Sequence, residues 1–208
     1  GPPGPGAPRS LVREARLEPA GVLQNVAVGL RHRHGEPVAQ GEGRARTVAP
    51  GMTVLCTPTA NGFGRFRPHA LAPQSILWGR DNRGAMLRVI GGAGDAATRI
   101  ENRLGEPAAN PYLYMAAQIH AGLSGVAQGL AAPLATESPY AADGDPHLRI
   151  PTNLRDALQA LSTDTAMAQG FGSEFIRYYT ALKIPEQQRL ESAEDPVEFQ
   201  RREYFSRI

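Results

Sequence analysis

The rhythm of apolar and polar positions changes twice along this chain of 208 residues. Leu11 to Leu17 predicts a short helix, and the β-branched, loosely alternating stretch Val22 to Leu30 predicts a strand. Met52 to Cys56 is a short apolar run. Thr57 to Pro73 holds three prolines, two glycines and two arginines and predicts a long loop. Loops of that length are usually functional or disordered. Three further strands are predicted over Ser75 to Gly79, Ala85 to Ile90 and Thr98 to Leu104, the last with period two. Arg80-Asp81-Asn82-Arg83 forms the turn between the first two, and Gly91 to Ala97 a flexible loop before the third.

Past Asn110 the pattern becomes helical. Asn110 suits an N-cap with Pro111 at the first helical position, and the helix should run to about Val126. Its small residues Ala116, Ala117, Ala121, Gly122 and Gly125 permit close packing. Ala131 to Pro151 reads as loop. Asn153 caps a helix through Leu161, and Ser173 begins another through about Arg189. Asp195-Pro196-Val197-Glu198 resembles a capping box, with a last helix to Phe205. Strands followed by helices predict an α+β fold, a small antiparallel sheet backed by C-terminal helices.

Apolar residues make up 41 % and charged residues 20 %, enough to bury a core. The formal net charge of +2 argues against a nucleic-acid coat. No apolar run approaches the roughly 20 residues of a membrane span. Gly1 to Ser10 lacks the apolar centre of a signal peptide, and the single cysteine, Cys56, excludes an internal disulfide. A cytoplasmic protein is expected. Residues 1–10 read as a Gly/Pro tail ahead of one domain over 11–208. Of 22 basic residues only Lys183 is a lysine, so anion recognition falls to arginine, whose fork suits phosphate and carboxylate.

The alternation of Thr98 to Leu104 puts Arg99, Glu101 and Arg103 on one face of a strand, with Ile100, Asn102 and Leu104 on the other. Such a face is either a solvated charge ladder or a site in which arginines hold anions and the glutamate binds a cation. Arg83 and Arg88 on the preceding turn and strand, with Arg65 in the long loop, favour the second reading. Five arginines around one carboxylate suit a polyphosphate and a substrate carboxylate, with a divalent metal on Glu101. The other candidates are bland. His32 and His34 suit a solvated turn, His120 a packing contact, Cys56 a buried inert thiol, and Tyr178 and Tyr179 the core. Asp81 suits a turn residue ion-paired with Arg80 and Arg83. His69 is a candidate proton-transfer residue.

The order Asn82-Arg83-x-Ala85-x-x-Arg88, a Gly-rich loop, Thr-Arg-Ile-Glu-Asn-Arg and Ala109-Asn-Pro-Tyr-Leu113 resembles the C-terminal part of the glutamine synthetase catalytic domain. Thr57 to Asn61 with Arg65 is similar to that family's Asn-Pro-Thr-x-Asn-Ser-Tyr-Lys-Arg loop. The tail from Thr152 to Arg201–Phe205 also fits, so the likeness spans roughly Val22 to Ile208. The resemblance implies γ-glutamyl phosphate chemistry: ATP phosphorylates a glutamate carboxylate and an amine displaces the phosphate. It implies Arg65 and Arg103 for the substrate carboxylates and Arg83 and Arg88 for the phosphates and the transferring phosphoryl. It implies Arg88 and Arg99 for the nucleotide, and Glu101 for the Mg²⁺ or Mn²⁺ that bridges phosphates.

Departures from the family pattern shape the expectation. Leu71, in Pro68-His-Ala-Leu-Ala-Pro73, stands where the family's flap glutamate takes a proton from ammonium. An alkyl chain cannot do this, so an amine other than ammonia is expected as acceptor. Asn25 and Ala27, in Asn25 to Leu30, stand where the family has two histidines. Full members are about twice as long or more, and the missing part holds a β domain and glutamate ligands. Two functions follow. One is a glutamine synthetase-like carboxylate–amine ligase completed by a partner chain, as a homo-oligomer or with a complementary glutamine synthetase-like subunit, or by the lost half of its own chain. The other is a dead homologue serving as structural or regulatory subunit of an active relative.

Overall fold

The computed structural model describes residues 49–67, 70–92, 95–127, 134–141 and 148–205. The expected tail, the Leu11–Leu17 helix, the Val22–Leu30 strand with Asn25 and Ala27, and His32, His34 and His69 lie outside the described residues.

Among the described residues the first element is a helix, α1 (Ala49–Cys56), with Ala49, Met52, Thr53, Val54, Leu55 and Cys56 all buried. A helix apolar all round belongs in the centre of a core. Thr53, the polar exception, donates its hydroxyl to the Ala49 carbonyl at 2.7 Å. The apolar run Met52 to Cys56 carries no periodicity that would separate a helix from a strand. A 3₁₀ turn, Ala60–Arg65, follows within the expected loop.

Among the described residues the sheet has three short strands in the order β1 (Trp78–Arg80), β2 (Leu87–Ile90) and β3 (Arg99–Asn102). β2 and β3 are antiparallel, with Arg88 opposite Glu101 and Ile90 opposite Arg99. β1 and β2 are parallel, a correction to the all-antiparallel expectation. Parallel neighbours ordinarily need a long crossover. Here β1 is three residues long, so residues 81–86 suffice to carry the chain back to its start. The predicted strand Ser75 to Gly79 also divides. Ser75 bridges Arg149, the Leu77 carbonyl accepts from Leu87 N at 3.1 Å, and the register with β2 runs from Trp78.

The helices pack behind the sheet. α2 (Pro111–Ala127) is capped by Asn110 Oδ1, which accepts from Tyr112 N at 3.0 Å. α3 (Leu154–Thr163) is capped by Asn153, and buries Leu154, Ala157, Leu158 and Leu161. α4 (Thr165–Phe171) is capped by Asp164 Oδ1, which accepts from Ala166 N and Met167 N, each at 2.9 Å. α5 (Ser173–Glu191) starts after Gly172, whose φ of +86° suits glycine. α6 (Pro196–Gln200) is capped by Asp195 and runs into a π turn, Arg201–Phe205. α1 packs against α2 and α3, α3 against α5, and α4 against α2 and α5. Tyr179 joins the core and donates its hydroxyl to the Val54 carbonyl at 3.1 Å, whereas Tyr178 is 63 % exposed and not core as expected. They are adjacent in sequence, about 100° apart on the helix. Tyr112, Met115, Ile119 and Leu123 of α2 are exposed, while Ala117 and Ala121 on its other side are buried.

Candidate functional site

β3 alternates as expected. Ile100 packs toward the core and Leu104 is fully buried, while Asn102 reaches Gln118 Oε1 of α2 at 2.6 Å. Tyr114, also on α2, donates its hydroxyl to the Asn102 carbonyl at 3.2 Å. Burial pushes that phenol up to about 12. Gln118 also donates to Cys56 Sγ at 3.5 Å, and burial pushes the thiol up to about 12, too high for a nucleophile at neutral pH. These bonds fix β3 on the helices, so its opposite face is presented with little freedom.

On that face the charges form one chain of contacts. Arg88 Nη1 meets Glu101 Oε2 at 2.9 Å, and Arg88 Nε meets Asp81 Oδ1 at 2.9 Å. Arg103 Nη1 binds the second Glu101 oxygen, Oε1, and its Nη2 donates to the Leu71 carbonyl at 2.6 Å. Asp81 thus pairs with Arg88 across the sheet, correcting the expected pairing with Arg80 and Arg83. A positive φ of 47° at Asp81 turns the chain at the end of β1. Leu71, at φ 52°, is 56 % exposed.

Burial pushes the Glu101 carboxyl up, but Arg88 and Arg103 outweigh it and hold it below the ordinary 4.5. The folded value being the lower, its ion pairs support the fold above the unfolded value and lose that support as pH falls through the folded one. A carbon-detected titration should find Glu101 protonating below 4.5. A midpoint above it would mean that the two arginines do not hold the carboxylate.

Arg65 lies behind this face. Its guanidinium donates to the buried Leu104 carbonyl and stands 4.8 Å from the Phe66 ring centre. Thr57 donates to the same carbonyl at 2.6 Å. Burial lowers the pKa of Arg65, with Glu106 opposing and Arg103 reinforcing the shift. Three buried polar atoms here lack a partner among the described residues: Asn61 Oδ1, Arg65 Nε and Arg103 Nε. Arg83 and Arg99 are exposed, and Arg99 donates to the nearby Ala97 carbonyl at 3.1 Å. The fold therefore gathers Arg88, Glu101 and Arg103, sets Arg65 close behind, and leaves Arg83 and Arg99 exposed. Glu106 was not foreseen. Its Oε1 accepts from Thr59 Oγ1 at 2.6 Å and holds the start of the turn that carries Arg65. No spacing signal distinguishes it from a surface glutamate. His120 meets the Phe171 ring edge-on at 5.1 Å, a packing contact as expected.

Residues 44–202 match the family model described as glutamine synthetase, catalytic domain. The chain belongs to the glutamine synthetase catalytic-domain family. The match begins after Asn25 to Leu30, so that stretch lies outside it. Among relatives, the gamma-glutamylanilide synthase of an Acinetobacter species is 42 % identical over 160 residues, 72 % of this chain and 31 % of that protein. The gamma-glutamylethanolamide synthetase GlnA4 of Streptomyces coelicolor is 34 % identical over 151 residues, 72 % of this chain and 32 % of its own. The glutamine synthetase of Methanococcus voltae is 32 % identical over 154 residues, 71 % and 34 %. A solved structure of a GmaS/ADP complex superposes with TM-score 0.60 at 29 % identity, covering 76 % of this chain and 37 % of the other. The chain spans about a third of the length of these relatives.

A divalent cation does not fit the carboxylates described. Both oxygens of Glu101 are taken by guanidinium groups, and no three His, Cys, Asp or Glu side chains gather as ligands among the described residues. Mg²⁺ needs several fixed oxygens. Arg65 Nε and Arg103 Nε are buried donors without a partner among the described residues, and Arg83 and Arg99 stand exposed. Among the described residues no helix is long and apolar enough to cross a membrane.

Proposed function

We propose that this chain supplies the carboxylate- and phosphate-recognising part of a glutamine synthetase-like, ATP-dependent carboxylate–amine ligase. The observation that carries the reading is the pair Arg65 and Arg103. Each keeps a buried Nε–H without a partner among the described residues, and each repels the other's charge. A carboxylate between them would satisfy both donors and relieve the repulsion. A glutamate-like acid is the substrate class. Arg88, with the exposed Arg83 and Arg99, would take the phosphates of ATP, and Arg83 and Arg88 the transferring phosphoryl.

The acceptor is an amine larger than ammonia. Leu71 offers no proton acceptor at the flap, and the likeness to enzymes named for anilide and ethanolamide products runs the same way. Mg²⁺ or Mn²⁺ would need ligands beyond the carboxylates described here. The rest of the site would come from a homo-oligomer or from a complementary glutamine synthetase-like subunit, in the cytoplasm.

Calorimetric titration with ATP in the presence of Mg²⁺ tests the nucleotide half of this reading. Saturable binding is expected, reduced at least about tenfold in an Arg88→Ala, Arg99→Ala double variant. No binding to a folded wild-type chain, or equal binding by the variant, would overturn the assignment of these arginines.

A further inference from the structure

We propose that Tyr204 is a positioning residue for Arg65, acting through the backbone of the turn Ala60–Arg65. The inference rests on the reading of Arg65 as a carboxylate-holding group. Tyr204 lies in the π turn Arg201–Phe205, remote in sequence from every residue of the site. Its hydroxyl accepts a hydrogen bond from Ala60 N at 3.0 Å and donates one to Glu186 Oε1 of α5 at 2.7 Å. The other Glu186 oxygen takes Lys183 Nζ at 2.9 Å. These two side chains are 13 % and 19 % exposed, so the salt bridge is a sheltered one.

Ala60 opens the turn that ends at Arg65. At its ends the turn is tied to the flanking chain by Gly62 N to Thr59 O at 3.1 Å and Phe66 N to Phe63 O at 3.1 Å. The hydrogen-bond geometry of a 3₁₀ segment is poorer than that of an α-helix, so outside contacts count for more in aiming it. Two such contacts come from outside. Glu106 fixes Thr59 on one side, and the Tyr204 phenol fixes the next amide on the other. Burial and then the bond to Glu186 push the phenol pKa up, so it keeps the proton it gives to that carboxylate. π turns are rare and frequently sit at functional sites. This one brings a C-terminal hydroxyl to the entrance of the arginine loop. Without the oxygen, Ala60 N loses its acceptor and the Arg65 fork can tilt away from the Leu104 carbonyl.

The test compares Tyr204→Phe with Glu203→Gln. Glu203 anchors the same π turn through Arg189, at 3.0 Å, without touching Ala60 by that bond. In Tyr204→Phe, hydrogen exchange across residues 60–66 is expected to quicken about tenfold. The dissociation constant for L-glutamate should rise about tenfold while that for ATP stays unchanged. Glu203→Gln should leave all three near wild type. Glu186→Gln, which keeps a neutral acceptor for the phenol, should fall between wild type and Tyr204→Phe. Unchanged exchange in Tyr204→Phe would overturn the proposal. So would equal effects of the Tyr204 and Glu203 variants, or loss of ATP and glutamate binding together, since those mark a general structural role. Faster exchange in a chain whose wild type binds no glutamate would uphold the positioning of the turn and remove the carboxylate reading of Arg65.

Discussion

Arg65→Ala is expected to weaken L-glutamate binding about a hundredfold, measured by calorimetric titration. The guanidinium is half-buried between the Phe66 ring and the Leu104 carbonyl, and it keeps one buried N–H without a partner among the described residues. A bound carboxylate would be met by a fixed fork in a place from which water is largely excluded, where a charge-assisted bond counts most. Truncation removes both the charge and its geometry. Arg65→Lys should recover little, because an ammonium is a point charge without the fork. Arg99→Ala is the matched control, since that side chain is exposed and should leave glutamate binding intact. Near-wild-type glutamate affinity in Arg65→Ala would move the carboxylate elsewhere.

Gly51→Ala is expected to lower the melting temperature by on the order of 10 °C, read by circular dichroism. A Cβ at Gly51 would stand 2.3 Å from Asp164 Oδ2, 2.7 Å from its Cβ and 2.8 Å from its Cγ. Asp164 has little room to retreat. Its N–H closes the end of α3 on the Leu161 carbonyl at 3.2 Å, while its Oδ1 caps α4. One added methyl therefore overpacks the α1 contact, costing about 1–3 kcal/mol, and disturbs a cap worth about 1 kcal/mol. Adding Asp164→Gly should restore part of the loss, because the clash and the cap share one side chain. Strict additivity of the two changes would show that Gly51 and Asp164 do not press on each other.

How far the sequence carried the fold depended on whether a signal was local. Asn110, Asn153 and Asp195 announce their helices because a cap acts within three residues of itself, and each is observed as a cap. α1 was not legible, since a helix buried on every side has no polar face to set its period. α4 is seven residues long, too short to show one. The direction of β1 was not legible either, because alternation is the same for parallel and antiparallel neighbours. In the site, the order of motifs brought Arg88, Glu101 and Arg103 together, and the register of β2 on β3 places Arg88 opposite Glu101. Asp81, Glu106 and Tyr204 escaped for one reason. Each acts on a residue distant in sequence or across a turn, and nothing in its own neighbourhood marks it.

The one lysine has a practical side. Amine-directed reagents, whether fluorescent esters, crosslinkers or surface-coupling chemistry, find a single side-chain target in the whole chain, Lys183. That amine is already engaged by the carboxylate that also accepts the Tyr204 hydrogen bond. Acylating it would erase the charge and leave Glu186 with the phenol alone. Coupling through lysine thus tampers with the support of the Arg65 turn, whereas arginine-directed dicarbonyls would attack the site itself. Immobilised or tagged forms are better built on an introduced cysteine, because Cys56 is buried and its thiol stays protonated.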